Sequence, residues 1–178
     1  MNVTAVVEHV RAHPPRCIAS LRSVPLLDPL SGMDHYPSLV YFRIGCPCGE
    51  EAAFILGHLV CSEDSPGEEF FTGPLALECP RCGRISEFMN PERDGFDGEI
   101  GANTNAVGTG EQARFSCPQC GAATPMLVMP GFSYKDLDDW YASEDQLQRP
   151  QDFFEAFWLY GACIRCRNVV AVLGFECA

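Results

Sequence analysis

Four cysteine pairs between residues 46 and 166 constrain this chain more than any other feature. They are Cys46-Pro47-Cys48, Cys79-Pro80-Arg81-Cys82, Cys117-Pro118-Gln119-Cys120 and Cys163-Ile164-Arg165-Cys166. Two thiolates separated by two residues can grip one tetrahedral ion at a Zn–S distance of ~2.3 Å. A glycine after the second cysteine supplies the left-handed conformation that curls the turn and points backbone N–H groups at sulfur. Gly49, Gly83 and Gly121 stand at that position, and Arg167 stands there in the fourth pair. The expectation is two sites of four thiolates, drawn from Cys46, Cys48, Cys79, Cys82, Cys117, Cys120, Cys163 and Cys166, with two structural Zn²⁺. The leftover Cys17, Cys61 and Cys177 are expected as small buried apolar groups.

Cys79-Pro80-Arg81-Cys82-Gly83 and Cys117-Pro118-Gln119-Cys120-Gly121 resemble the turns of zinc-ribbon and rubredoxin-like proteins. The resemblance covers the cysteine turns and their flanking strands, not the first forty residues. It implies a structural zinc held by four cysteines and no single activity. Two pairs depart from the pattern. Cys46-Pro47-Cys48 has one spacer residue, which tightens the bite and brings in His58 and Cys61 as alternative ligands. Cys163–Cys166 lacks the glycine, so its turn is expected to be strained or differently shaped. Sequential grouping joins 46/48 with 79/82 and 117/120 with 163/166; the alternative joins 79/82 with 117/120. A reactive-dithiol reading suits one Cys-x-x-Cys near a βαβ pattern better than four pairs on short strands.

A duplication underlies the pairs. Phe42–Gly49 matches Arg114–Gly121, with cysteines offset by 71 and 72, while Cys79 and Cys82 are offset by 84 from Cys163 and Cys166. Phe71 stands eight residues before Cys79 and Phe154 nine before Cys163. The expected fold is mainly β with a few short helices, built as two tandem zinc-ribbon-like units. The expected division is an N-terminal segment 1–38, a first unit 39–90, a glycine-rich acidic linker 91–112 and a second unit 113–178.

Within that plan, Val3, Val6, Val7 and Val10 define one face of a short helix stopped by Pro14 and Pro15. Residues 16–24 are expected as a strand and 25–38 as loop. Leu39–Ile44 reads as a strand with Ala52–Cys61 as its hairpin return; 62–69 reads as an acidic loop. Strands are expected at 75–78, 85–89, 114–116, 125–129 and 169–175. Helices are expected at 133–142, capped by Ser133 and facing inward with Leu137, Trp140 and Tyr141, and after Pro150, burying Phe153, Phe154, Phe157 and Trp158. The aromatics are expected in the core. A few could form a contact patch rimmed by Asp136, Asp138, Asp139, Glu144 and Asp145.

The chain carries 24 acidic and 12 basic residues, a formal charge of -12; eight thiolates and two dications would take it to -16. Nucleic-acid binding relies on Lys and Arg neutralising phosphates, so this charge disfavours the nucleic-acid reading that ribbons invite. No basic, apolar leader opens the sequence and no stretch nears the ~20 residues of a membrane span, so a cytoplasmic protein without membrane contact is expected. His9, His13, His35 and His58 form no catalytic zinc arrangement, and no P-loop, GxSxG or dinucleotide fingerprint is present. No catalytic or organic-cofactor residues are therefore assigned. The leading expectation is a zinc-containing protein whose acidic surface binds a basic protein partner, as an inhibitor, immunity-like protein or accessory subunit. The alternative is an enzyme built on Asp94, Asp97 and Glu99, whose spacing fits an acidic turn better than a calcium loop.

Overall fold

The computed structural model describes residues 3–61, 69–94, 108–134 and 148–176. Helix α1 (Val3–Ala12) buries Val6, Val7 and Val10, the face its valine spacing specifies. Among the described residues nine strands follow: β1 (Arg22–Leu26), β2 (Leu39–Gly45), β3 (Phe54–Cys61), β4 (Glu69–Glu78), β5 (Ile85–Met89), β6 (Ala113–Arg114), β7 (Met126–Ser133), β8 (Ala156–Cys163) and β9 (Val169–Glu176). The protein is mainly β, as expected. Its strands form a five-stranded sheet, β1-β2-β7-β8-β9, and a four-stranded sheet, β5-β4-β3-β6, with all pairings antiparallel.

The two sheets correspond strand for strand. Replacing β2, β7, β8 and β9 by β6, β3, β4 and β5 turns one strand order into the other, with β1 added at one edge. Register follows the same rule. Leu56 faces Arg114, and shifts of +73 and −71 carry that pair onto Met129 and Arg43, which share the register of Ile44 opposite Val128. Ala53 and Met126, also 73 apart, exchange backbone bonds of 2.9 and 2.8 Å in an isolated bridge. That bridge lies on the local two-fold relating the halves.

This arrangement corrects the hairpin expected for β2 and β3. The strands on either side of the first cysteine turn diverge: β2 pairs with β1 and β7, and β3 with β4 and β6. The reason lies in complementarity between the repeats. The strand entering each first-type turn (β2 or β6) pairs with the strand leaving the other (β7 or β3), so both turns open and neither loses its backbone partners. Each sheet thus draws on the other half of the chain: β2, with β1 beside it, joins β7, β8 and β9, and β6 joins β3, β4 and β5.

A single apolar core holds Phe42, Ile44, Ile55, Leu75, Leu77, Phe88, Val128, Phe132, Phe157 and Leu159 from both sheets, together with the α1 valines. Phe132 makes edge contacts with Phe42, Phe154 and Phe157 at 6.1, 4.8 and 5.5 Å. A smaller cluster of Leu39, Tyr41, Met129 and Tyr160 occupies the other face of the five-stranded sheet, with Leu26 and Met33 packed on it. Segment 27–38 is pinned there: Tyr160 Oη donates to Asp34 Oδ2 at 2.8 Å and Tyr41 Oη to the Asp34 carbonyl at 3.1 Å. Burial, aided by the neighbouring tyrosine and Asp34, raises the Tyr41 pKa well above the usual phenol range.

Other local expectations change. Residues 16–18 form a 3-10 turn, and the strand begins only at Arg22, running through Pro25. Pro25 is tolerated because β1 is an edge strand. The helix expected after Pro150 is a single 3-10 turn, Pro150–Asp152; Phe157 and Trp158 lie on β8. Phe153, Phe154, Phe157 and Trp158 mimic a helical face in spacing, but backbone pairing of β8 with both β7 and β9 prevails. Ser133, expected as a helix cap, ends β7 and donates its hydroxyl to Glu155. Leu137, Trp140, Tyr141, Asp136, Asp138, Asp139, Glu144 and Asp145 lie outside the described residues, as do the acidic loop 62–68 and Cys177.

Candidate metal centres

Each cysteine pair occupies a turn between two strands, and three of the four turns share one hydrogen-bond pattern. The first cysteine's N–H donates to the carbonyl five residues on: Cys79 to Arg84 (2.9 Å), Cys117 to Ala122 (3.0 Å) and Cys163 to Asn168 (3.0 Å). The residue after the second cysteine returns an N–H to the first cysteine's carbonyl, from Gly83, Gly121 and Arg167, at 2.8–2.9 Å. Those three residues have φ of +70°, +67° and +64°. Arg167 therefore adopts the glycine conformation, so the fourth turn keeps its shape and carries backbone strain of about 1–2 kcal/mol. The first turn is the same device one residue shorter. Cys46 N–H reaches the Glu50 carbonyl at 2.9 Å, and Gly49 (φ +96°) returns to Cys46 at 3.0 Å.

The turns meet in sequential order. Cys46, Cys48, Cys79 and Cys82 place their sulfurs within 4.8 Å of one another, and so do Cys117, Cys120, Cys163 and Cys166. These are called site one and site two below. The structure does not bring Cys79 and Cys82 to Cys117 and Cys120. At site one Cys46–Cys82 and Cys48–Cys79 are each 3.6 Å apart; at site two Cys117–Cys166 and Cys120–Cys163 are 3.7 and 3.9 Å apart. A tetrahedron with ~2.3 Å metal–sulfur bonds has edges of about 3.8 Å, so both clusters can hold a metal ion. The single-residue spacer of Cys46 and Cys48 does not spoil the sulfur geometry.

Crowding also shows in the protonation of the thiols. Burial opposes ionisation of Cys79, but N–H groups of Cys82 and Arg81 and the thiols of Cys82 and Cys48 outweigh it and lower its pKa to about 7. The Thr124 hydroxyl, then the Cys166 N–H, lowers Cys163 to about 6. For Cys46 the Cys48 N–H favours the thiolate, but burial and the three surrounding thiols push it up to about 12. Cys120 rises to about 11, its Ala122 N–H outweighed by burial and its thiol neighbours. One thiolate per cluster, Cys79 or Cys163, forms readily, while Cys46 and Cys120 resist for want of a cation. A divalent ion relieves this repulsion.

The other candidate residues fall elsewhere. His58 is buried on β3, outside site one, with its Nδ1 unpartnered among the described residues; the Cys61 side chain is not among those described. His9 stacks on His13 at 4.4 Å and donates to Gln151 Oε1 at 3.1 Å. Cys17 is buried, and burial followed by Asp94 and Asp152 pushes its thiol up, so it is inert. Asp94 is buried with its carboxylate taken up by Asn90 N–H (2.9 Å) and Arg93 (3.0 and 3.2 Å) in the turn after β5. The space between Asp94, Asp152, Cys17 and Phe154 leaves no room for a water. Asp97 and Glu99 lie outside the described residues.

Two residues near the clusters carry no signature in the cysteine spacing. Thr124 Oγ1 lies 3.5 Å from Cys163 Sγ, and Asn168 Nδ2 donates to Cys166 Sγ at 3.6 Å. The available signal is a polar side chain within four residues of each second cysteine of site two.

Fold and clusters together define a β protein with two similar four-cysteine sites, compatible with zinc-ribbon-like units. No family model, curated protein or solved structure matches the chain. Among the described residues no helix is long and apolar enough to cross a membrane.

Proposed function

We propose that this protein binds two structural Zn²⁺, one on Cys46, Cys48, Cys79 and Cys82 and one on Cys117, Cys120, Cys163 and Cys166. We further propose that it serves as a cytoplasmic binding protein for a basic protein partner. The observation that carries the reading is the donor set: four sulfurs lie within 4.8 Å of one another at each site, with no histidine or carboxylate joining them among the described residues. Thiolate is the donor that zinc shares with few competing ions, and four of them close its coordination shell. A closed shell leaves no position for substrate or activated water, so the ions act through the fold. The commitment of Asp94 to Asn90 and Arg93 weighs against the carboxylate-enzyme reading.

The partner follows from charge. With 24 acidic against 12 basic residues, the chain attracts a basic surface and repels nucleic acid. An inhibitor, an immunity-like protein or an accessory subunit all fit this physics. Metal analysis of protein purified without added metal should return two zinc per chain. Affinity capture from native lysate at low salt should then retain a basic protein that high salt releases. Zinc below two, or capture indifferent to salt, would sink the respective half of the reading.

A further inference from the structure

The two clusters match in geometry and differ in surroundings. At site two, Asn168 donates an N–H to Cys166 Sγ at 3.6 Å, and the Thr124 hydroxyl lies 3.5 Å from both Cys163 Sγ and the Pro125 carbonyl. At site one, among the described residues, no side chain other than the cysteines hydrogen-bonds a sulfur; Arg81 reaches only the Cys48 carbonyl, at 3.5 Å. Accessibility differs in the same sense. Cys48 and Cys82 are exposed, whereas Cys120 and Cys166 are half-buried. Metal-bound thiolates keep nucleophilic character; hydrogen bonds to sulfur withdraw charge from it, and burial keeps reagents away. Both factors protect site two.

We propose that Cys48 and Cys82 make site one an oxidation site for hydroperoxides, at which thiolate oxidation expels the ion while site two keeps its own. The proposal rests on the metal reading above. The exposed Cys48 thiolate attacks a peroxide oxygen; the O–O bond breaks, a sulfenic acid forms on sulfur, and the departing oxygen leaves as water or alcohol after taking a proton. The thiolate of Cys79, 3.6 Å away, then attacks the sulfenic sulfur. The S–S bond forms, the S–O bond breaks, and the hydroxide leaves as water with a proton from solvent. Two electrons pass from two thiolates to one peroxide. Cys82 can react in the same way with Cys46, also 3.6 Å distant. Either disulfide removes two of four ligands and releases the ion.

Hydrogen peroxide added to the zinc-loaded full-length chain, with a chromophoric zinc indicator present, tests this. One zinc should appear on the order of tenfold faster than the second. Peptide mapping at that stage should find Cys48–Cys79 or Cys46–Cys82, and dithiol with zinc should restore the count. A Thr124→Val/Asn168→Ala variant, which keeps every ligand, should release its second zinc faster and narrow the gap. Simultaneous release, a first disulfide among Cys117, Cys120, Cys163 and Cys166, or an unchanged gap in that variant would overturn the proposal alone. A starting count below two zinc per chain would overturn the metal reading and the proposal with it.

Discussion

Site one and site two hang on equivalent strands, yet each deviates from the regular turn in its own way. Site one drops a residue between Cys46 and Cys48; site two puts Arg167 where a glycine belongs. Sulfur spacing is nearly unchanged by either, at 3.6 Å in one and 3.7–3.9 Å in the other. The paired backbone bonds of each turn therefore hold the thiols in place. The shortened turn keeps both bonds by moving each acceptor or donor one residue closer, and Arg167 keeps them by accepting a left-handed φ. What does vary is the protection around the sulfurs.

The largest effect should come from removing a ligand at matched positions. Cys48→Ala and Cys120→Ala should each leave one zinc per chain by metal analysis. Metal binding to a thiolate site is itself folding free energy, so each melting temperature should fall by about 10 °C or more. The fall should be greater for Cys120→Ala, because the ion it loses sits in the better protected cluster. Loss of both ions from a single substitution would show that the sites are one cooperative unit and break the comparison outright.

Next in size is the response of the metal-free chain to pH. A thiol whose pKa falls below its ordinary 9 on folding stabilises the fold above 9, and that contribution disappears as pH drops through the lowered value. Cys79 should lose its share near pH 7 and Cys163 near pH 6. Ultraviolet thiolate absorbance should therefore show the first ionisation of site two about one unit below that of site one. Cys120 and Cys46 should remain protonated until about 11 and about 12. Thr124→Val should move the site-two step upward. If that step stays near 6, the hydroxyl does not distinguish the clusters.

These two contrasts also mark how far the sequence could be read. The cysteine turns, the α1 valines and the strands beside each turn are local: turn chemistry and short-range periodicity specify them. The exchange of β2 and β6 between halves is not local. Leu39, Val40, Tyr41 and Phe42 are all buried, so this half of β2 has no solvent face whose alternation would reveal its neighbour. The same continuity of apolar residues disguised β8 as a helix, since Phe153, Phe154, Phe157 and Trp158 fit one turn of a helix in spacing. Segment 27–38 was legible as loop, but its anchoring through the Asp34–Tyr160 bond was equally hidden, because a hydrogen bond across 126 residues leaves no trace in spacing. Thr124 and Asn168 acquire meaning only once their distances to sulfur are known.

A smaller effect should follow from relieving the left-handed arginine. Arg167→Gly should stabilise the zinc-loaded protein by about 1 kcal/mol in urea unfolding, with no change in metal count. Gly83→Ala should destabilise by a similar amount, since φ +70° suits no side chain. If Arg167→Gly were neutral or harmful, the arginine side chain would be supplying compensation that backbone geometry does not reveal.

The smallest contrast separates two arginines that the repeat makes equivalent. Arg114 on β6 donates two bonds to Glu78, at 2.8 and 2.6 Å, and lies 4.0 Å above the Phe54 ring. Arg43 on β2 reaches Glu51 at only 3.7 Å. Bidentate geometry and a ring beneath the guanidinium make the first pair worth more, while solvent exposure limits both. Arg114 also spans β3 to tie the two-residue β6 to β4, whereas β2 is seven residues long and paired on both sides. Arg114→Ala should therefore lower the melting temperature by about 1–2 °C at low salt and Arg43→Ala by less. The difference should shrink as salt rises. Equal effects would mean that the short strand needs no help from its arginine, and that the exchanged strands are held by backbone pairing alone.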